Sequence, residues 1–207
     1  MASPPETETA LAGLIRSRRS VRSFRPEPLN RELVADLIRE AMWSPSPHNS
    51  QPWRFTVLFE PADREGLAGA MASRLAQELC ADGLDEAEIG RQTARSFRRI
   101  TSAPVVVLCS LHPDGLVRFA DDRRDALEWQ MAVQSVGTVL QTLFLLAADR
   151  GIGSCWMAAP MYCPDVVREA LALPANWHPQ ALVLLGYQDG EGKVRPRRQL
   201  DEVLDLR

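Results

Sequence analysis

Apolar residues recur at two different spacings along the first sixty positions, and the change of spacing predicts the first elements of the chain. Residues 9–18 keep a step of three to four residues, which predicts a short amphipathic helix. The same step returns in RELVADLIREAM, after Asn30, a residue that often caps helix N-termini. The segment WRFTVLF, residues 53–59, is rich in strand-forming residues. We therefore expect helix, helix and strand in this order.

The remaining chain continues to alternate between helical and extended patterns. Two charged, alanine-rich stretches, residues 62–80 and 84–99, predict exposed helices. Two uninterrupted apolar runs, APVVVLCSL from Ala103 and QALVLLGY at residues 180–187, predict buried strands. Between them, GSCWM predicts another strand and CPDVVREALAL a helix. This order predicts an α+β layered fold in a single domain, residues 1–207.

The longest apolar segment, residues 129–148, carries no formal charge and is long enough to cross a bilayer. Polar and small residues nevertheless recur on it at helical steps and form one stripe. This stripe contains Gln130, Gln134, Gly137, Thr138 and Gln141. It favours a helix buried in protein and not in a membrane. Either an ordinary core helix or a helix at a subunit interface fits, and we favour a dimer because a small chain has little core to cover it.

Composition narrows the class of protein. The chain has 207 residues, of which 45% are hydrophobic and 25% charged, and a formal net charge of -3, as in a soluble globular protein. Its first ten residues lack the pattern of a secretory signal, so we expect a cytoplasmic protein. Four cysteines without CxxC spacing and three histidines without ligand spacing predict no metal centre. Cys155 is expected to be an inert core thiol with no cation nearby.

The most basic stretch is RSRRSVRSFRPEP, residues 16–28, called here the arginine segment. One explanation is a solvated helix end, where basic residues complement the helix dipole. Nucleic acid is disfavoured because the chain is acidic overall and no second basic stripe accompanies the segment. The third explanation is a phosphate site built from Arg18, Arg19, Ser20 and Arg22. The absence of a G-x-G-x-x-G motif favours a mononucleotide over a dinucleotide, and Arg16 and Arg25 are expected to stay solvated.

Three motifs, in this order, resemble the flavin-dependent nitroreductase family. They are RRSVRSF at residues 18–24, SPSPHNSQPWRF at residues 44–55 and GIGSCWM at residues 151–157. Within that family, SPSPHNSQPW, GSCWMAAP and LALPANWHPQALVLLGY are most similar to the C-terminal flavin domain of the gamma-glutamyl ligase of coenzyme F420 biosynthesis. The resemblance implies a nitroreductase-like fold, with a central antiparallel or mixed sheet flanked by helices, in a domain-swapped homodimer.

The resemblance also implies a set of FMN-binding residues. The residues expected at the phosphate and ribityl chain are Arg18, Arg19, Ser20, Val21 and Arg22, joined by Arg195 or Arg197 from the C-terminal arm. Those expected to reach the flavin of the other subunit are Pro45, Ser46, Pro47, Asn49 and Gln51. Those expected beside the isoalloxazine ring are Met157, Ala158 and Ala159. Ser46 and Met131 would line the pocket of a second coenzyme.

The implied function is that of an FMN-dependent oxidoreductase with ping-pong hydride transfer from NAD(P)H to a small-molecule acceptor, in active sites shared by two subunits. We predict no catalytic side chain, because flavin itself carries the redox chemistry. The acceptor stays open between an unsaturated precursor of coenzyme F420 and nitroaromatics or quinones. A non-catalytic protein that stores or senses flavin is the remaining alternative. Each motif alone also fits a plain loop, helix cap or core residue.

Overall fold

The computed structural model describes residues 9–190, 192 and 194–207. Its helices are α1 Ala10–Ser17, α2 Arg31–Ala41, α3 Pro61–Ala81, α4 Glu86–Thr101, α5 Asp122–Asp149 and α6 Pro164–Ala170. Its strands are β1 Trp53–Leu58, β2 Val105–Leu111, β3 Ile152–Met157 and β4 His178–Tyr187. Single 3₁₀ turns lie at Pro47–Asn49, Ala159–Tyr162 and Leu200–Glu202. The expectation about a secretory signal falls mostly on residues 1–8, outside the described residues.

The four strands form one sheet in the order β1-β2-β4-β3, and every neighbouring pair is antiparallel. The predicted α+β layered fold with a central sheet flanked by helices is therefore confirmed. The central strands β2 and β4 are buried along almost their whole length. Their continuous apolar sequences follow from this position, because helices cover both faces of the sheet and leave no side of these strands in water.

Each face of the sheet has its own apolar cluster, and alternate residues of β2 divide between them. Val105 and Val107 belong to the cluster beneath α2 and α5, whereas Val106 and Leu108 belong to the cluster beneath α3, α4 and α6. This division follows from the two-residue period of a strand. The prediction that α3 and α4 are exposed is wrong in part. α3 covers the second cluster with Leu67, Ala68 and Met71, and α4 covers it with Ile100.

The long helix α5 begins seven residues before the apolar segment that predicted it. Asp121 caps it by accepting from the backbone N–H of Arg124, and the charged first turns explain why hydrophobicity alone missed them. Among the described residues, α5 is the one helix long and apolar enough to span a membrane. Its inner face, with Val139, Leu140 and Leu143 fully buried, packs into the first cluster. It is therefore a core helix.

Candidate functional site

The arginine segment leaves α1 and runs along the outer edge of the sheet. Ser20 pairs in parallel with Ser154 of β3, and the backbone N–H of Val21 donates to the Ser154 carbonyl at 2.8 Å. The Val21 side chain is buried against Gly153, where an added Cβ would lie 2.9 Å from Val21 Cγ1. Arg22 is exposed on the opposite side of the extended chain. The edge of the sheet therefore fixes which side chains of the segment face outward.

A cavity of about 1220 Å³ lies beside this segment. It is lined by seven arginines, namely Arg16, Arg18, Arg19, Arg22, Arg99, Arg195 and Arg197, and we call it the arginine cavity. Asp189 is the one carboxylate among the described residues that line it. Guanidinium groups bind phosphate and carboxylate through paired N–H donors. In a chain whose net charge is -3, such a concentration of positive charge indicates an anionic ligand.

The arginines of this cavity differ in what they already bind. Arg19 donates through Nη1 to the carbonyl oxygens of Ser17 and Arg18, at 2.9 and 3.0 Å, and so caps the end of α1. Arg22 donates to the Ser20 carbonyl at 3.2 Å.

Three other arginines of the cavity, unlike Arg19 and Arg22, donate to no carbonyl oxygen of the described chain. The side chains of Arg18, Arg99 and Arg195 form no hydrogen bond or ion pair with any residue in the described part of the chain. These three guanidinium groups are therefore available to a ligand.

Two of the lining arginines were not expected here. Arg16 is exposed, as predicted, but it lines the cavity and does not lie outside it, because it is on the last turn of α1 where the chain turns toward the sheet edge. Arg99 was missed, since a basic residue in the last turn of α4 is typical of any helix end. Arg25 does stay outside, paired with Glu27 at 3.3 Å and 5.3 Å from the ring centre of Tyr187.

The buried thiol of Cys155 also corrects an expectation. Burial raises its pKa, while the positive charges of Arg22, Arg99 and Arg18 act in the opposite direction. The prediction that no cation lies near Cys155 is therefore wrong. The expected inert thiol agrees with the direction of the pKa shift, because burial is the larger effect and keeps the group protonated.

The second motif forms a strained loop, residues 44–51, called here the proline loop. His48, Asn49 and Gln51 adopt left-handed backbone conformations with φ of 55°, 53° and 45°. Non-glycine residues rarely adopt this region, and such strain is concentrated at functional sites. Inside the loop, the backbone N–H of Gln51 donates to Ser46 Oγ at 3.0 Å. Ser46 therefore holds the loop in its bent form.

The proline loop is anchored to α5 by hydroxyl groups. Ser44 Oγ lies 2.7 Å from Thr142 Oγ1 and 2.8 Å from the Ala41 carbonyl oxygen. Thr138 Oγ1 donates to the Pro45 carbonyl at 3.3 Å. Part of the polar stripe on α5 thus serves the loop. Gln141, one turn further on, lines the arginine cavity instead.

One chain brings together only part of the predicted flavin site. Residues 18–22, Arg195 and Arg197, which were expected to lie together, all line the arginine cavity. Among the described residues, neither the proline loop nor Met157, Ala158 and Ala159 contributes to its lining. Met157 ends β3, and the 3₁₀ turn Ala159–Tyr162 follows Ala158. Met131 lines a different cavity on α5. The shared active site of a homodimer stays a prediction, because the structure contains a single chain.

Comparison with known proteins identifies the family. The model of the nitroreductase family matches residues 15–187. The chain belongs to the nitroreductase family. Family membership, predicted from three ordered motifs, is thereby confirmed, whereas the closer likeness to the F420 ligase domain stays a prediction.

Two curated relatives align over most of this family member. A 5,6-dimethylbenzimidazole synthase of Rhodospirillum rubrum is 31% identical, over 92% of this chain and 87% of that protein. A nitrobenzene nitroreductase of Ectopseudomonas oleovorans is 29% identical, over 88% of each chain. Among solved structures, the FMN-dependent nitroreductase NfnB of Mycobacterium smegmatis, in complex with NADPH, matches with a TM-score of 0.74. It is 24% identical and covers 94% of this chain and 96% of its own.

Proposed function

We propose that this nitroreductase-family protein is an FMN-dependent oxidoreductase that passes electrons from a reduced nicotinamide to a small-molecule acceptor. The observation that carries the proposal is the arginine cavity, in which Arg18, Arg99 and Arg195 form no hydrogen bond or ion pair within the described chain. An FMN-dependent relative with bound NADPH and a nitrobenzene nitroreductase support it. The function is the same as the motifs implied.

The donor set of the arginine cavity fits FMN. A phosphate monoester carries close to two negative charges and several acceptor oxygens at neutral pH, which suits guanidinium forks from separate segments. The Gln141 amide, in the same cavity, suits the hydroxyl groups of a ribityl chain. We infer that Arg18, Arg99 and Arg195 hold the phosphate and that Arg19 keeps the segment in place by capping α1. FMN, when bound, supplies the redox chemistry.

The remaining predicted residues complete the site if two subunits share it. Ser46, Asn49 and Gln51 would come from the proline loop of the partner, a loop that left-handed residues hold in its bent form. Large apolar side chains beside these segments support a dimer, since Trp43 is 90% and Tyr162 77% exposed. A backbone N–H from the segment Met157 to Ala159 would donate to the flavin ring.

For the acceptor, we propose nitroaromatics or quinones first. The relative that is named a nitrobenzene nitroreductase supports this class. The finer hypothesis, an unsaturated precursor of coenzyme F420 with Ser46 and Met131 in its pocket, rests on the motif wording alone. Because one relative is named 5,6-dimethylbenzimidazole synthase, 5,6-dimethylbenzimidazole is a further product to test for. A flavin store or sensor would bind FMN without turnover.

The test begins with protein reconstituted with FMN and desalted. We expect retained flavin absorbance that bleaches on anaerobic addition of NADPH or NADH and returns when nitrobenzene or p-benzoquinone is added. Flavin that never bleaches would support storage or sensing, and protein that does not retain FMN would refute the flavin site. Parallel titration with the F420 precursor, and chromatography for 5,6-dimethylbenzimidazole, separate the finer alternatives.

A further inference from the structure

A second cavity, of about 420 Å³, lies along the first turns of α5. It is lined by Phe119, Arg124, Leu127, Glu128, Gln130, Met131 and Gln134, and we call it the glutamate cavity. Its walls combine an aromatic ring with aliphatic and thioether side chains. Glu128 is only 6% exposed, which is rare for a carboxylate. Of the hypotheses above, only the F420-precursor hypothesis uses Met131 of this cavity, and none gives Glu128 a role.

Glu128 has no partner in the described chain. Its natural partner would be Arg124, one helical turn earlier on the same face. Arg124 instead pairs with Asp121, and its guanidinium lies 4.5 Å from the ring centre of Phe119. The Glu128 side chain forms no hydrogen bond or ion pair with any other residue that the structure describes.

A largely buried carboxylate that pairs with no cation is costly, because burial removes most of its water without supplying a counter-charge. A ligand that enters the cavity could supply the missing partner. A cation or an N–H donor would satisfy Glu128, while a negatively charged group would be repelled. The aromatic and aliphatic wall formed by Phe119, Leu127 and Met131 suits a flat apolar ring beside that donor.

We infer that the glutamate cavity binds an aromatic acceptor that carries a protonated amine, with the amine on Glu128. This inference rests on the proposed oxidoreductase function, since it names the class of acceptor. It makes Glu128 a specificity-determining residue. The two cavities then differ in the charge they prefer: the arginine cavity attracts a phosphate, whereas Glu128 attracts an ammonium group.

The experiment uses three nitrobenzenes whose para substituent is cationic, neutral or anionic: 4-nitrobenzylamine, 4-nitrobenzyl alcohol and 4-nitrobenzoate. With FMN-loaded wild-type protein, kcat/KM should be highest for the amine and lowest for the carboxylate. Glu128→Gln should lower kcat/KM for the amine by roughly ten- to a hundredfold, as expected for a hydrogen bond to a charged group, and leave the alcohol nearly unchanged. Equal values for the three acceptors, or the same preference in Glu128→Gln, would overturn the inference.

A binding measurement keeps this test independent of turnover. Benzylammonium, which cannot be reduced, should bind FMN-loaded protein in calorimetry and should bind Glu128→Gln at least about tenfold more weakly. The matched control is Glu86→Gln, an exposed glutamate on α4, which should behave as wild type. Benzylammonium binding without turnover of any acceptor would refute the oxidoreductase and leave the cation site. Turnover of all three acceptors without benzylammonium binding would refute the cation site and leave the oxidoreductase.

Glu128→Gln also distinguishes a ligand site from a subunit contact. If Glu128 lacks a partner in the free protein, replacing its charge with an amide should leave the melting temperature unchanged or raise it. A lower melting temperature together with a weaker dimer would mean that a cation of the partner subunit already neutralises Glu128. That result would overturn the inference.

Discussion

The arginine segment and the proline loop are the two motifs most characteristic of the sequence, yet the fold holds them in different ways. The arginine segment is extended and bonded through its backbone to β3. The proline loop is bent, strained at three non-glycine residues and tied to α5 by hydroxyl groups. The first meets its cavity within one chain, whereas the second lies outside that cavity. A motif can therefore be complete in sequence and still form only part of a site.

This contrast has a physical origin. Backbone pairing with a sheet edge sets the direction of every second side chain, so Arg22 must face away from buried Val21. A loop has no such repeat, and side-chain bonds and left-handed residues must determine its shape one position at a time. We expect the arginine segment to depend on close packing, and the proline loop on a few polar contacts.

The largest expected effect comes from Gly153→Ala. The new methyl would lie 2.9 Å from Val21 Cγ1 and push the arginine segment off β3. Overpacking of this kind costs about 1–3 kcal/mol of unfolding free energy, and the displaced arginines should weaken FMN binding by about a hundredfold. Urea unfolding and FMN titration measure the two effects. Gly90→Ala, at a helical glycine with nothing within 4 Å of the new Cβ, is the matched control and should bind FMN normally.

Next in size is Arg99→Gln, which removes one guanidinium without changing the sheet edge. We expect FMN affinity to fall by roughly ten- to a hundredfold, because hydrogen bonds to charged groups contribute about 1.5–3 kcal/mol. Riboflavin, which lacks the phosphate, should bind wild type and variant equally. The control is Arg98→Gln, at the neighbouring exposed arginine, which should leave FMN affinity unchanged. If riboflavin affinity falls as much as FMN affinity, Arg99 does not bind the phosphate.

A smaller effect is expected for the anchor of the proline loop. Ser44→Ala removes the contacts of Ser44 Oγ with Thr142 and the Ala41 carbonyl, and should lower the unfolding free energy by about 1 kcal/mol. FMN binding to a single chain would be little affected, because the loop does not line the arginine cavity. Chemical denaturation is the measurement. Ser73→Ala, at an exposed position of α3, should be neutral, and equal losses in both variants would contradict the anchor.

The smallest effect has the opposite sign. His48→Gly should raise the unfolding free energy by about 0.5–1 kcal/mol, since glycine adopts a φ of 55° without the steric cost paid by histidine. A glycine placed in a right-handed helix, as in Gln77→Gly on α3, should lower the unfolding free energy by about 1 kcal/mol. Thermal and urea unfolding compare the two. A destabilised His48→Gly protein would mean that the side chain makes a contact that outweighs the strain.

Most of the helices and strands were predictable because each carries a local signal. The apolar runs of β2 and β4, the cap at Asn30 and the helical spacing of α2 need no knowledge of distant residues. The start of α5 and the buried side of α3 were not predictable in this way. The first turns of α5 are charged and give no apolar signal. The alanine-rich sequence of α3 gives no clear contrast between its buried and exposed sides.

The site divides along the same line. Arg18, Arg19, Ser20, Val21 and Arg22 are consecutive, so the sequence alone predicted that they belong to one site, and they do line one cavity. Arg99 and Arg16 join them only through the packing of α4 and α1 near the sheet edge. The sequence likewise does not show that Glu128 has no partner in the described chain, since Arg124 stands one helical turn away as an apparent partner.

By itself, the amino-acid sequence determined the family, the order of the elements and the contiguous part of the arginine cavity. These depend on spacing and on residue types that act within a few positions of one another. Only the tertiary structure decided which arginines share a cavity, which positive charges act on Cys155 and that buried Glu128 has no partner in the described chain. Burial and charge pairing are set by neighbours from distant segments, and no local pattern records which neighbours those will be.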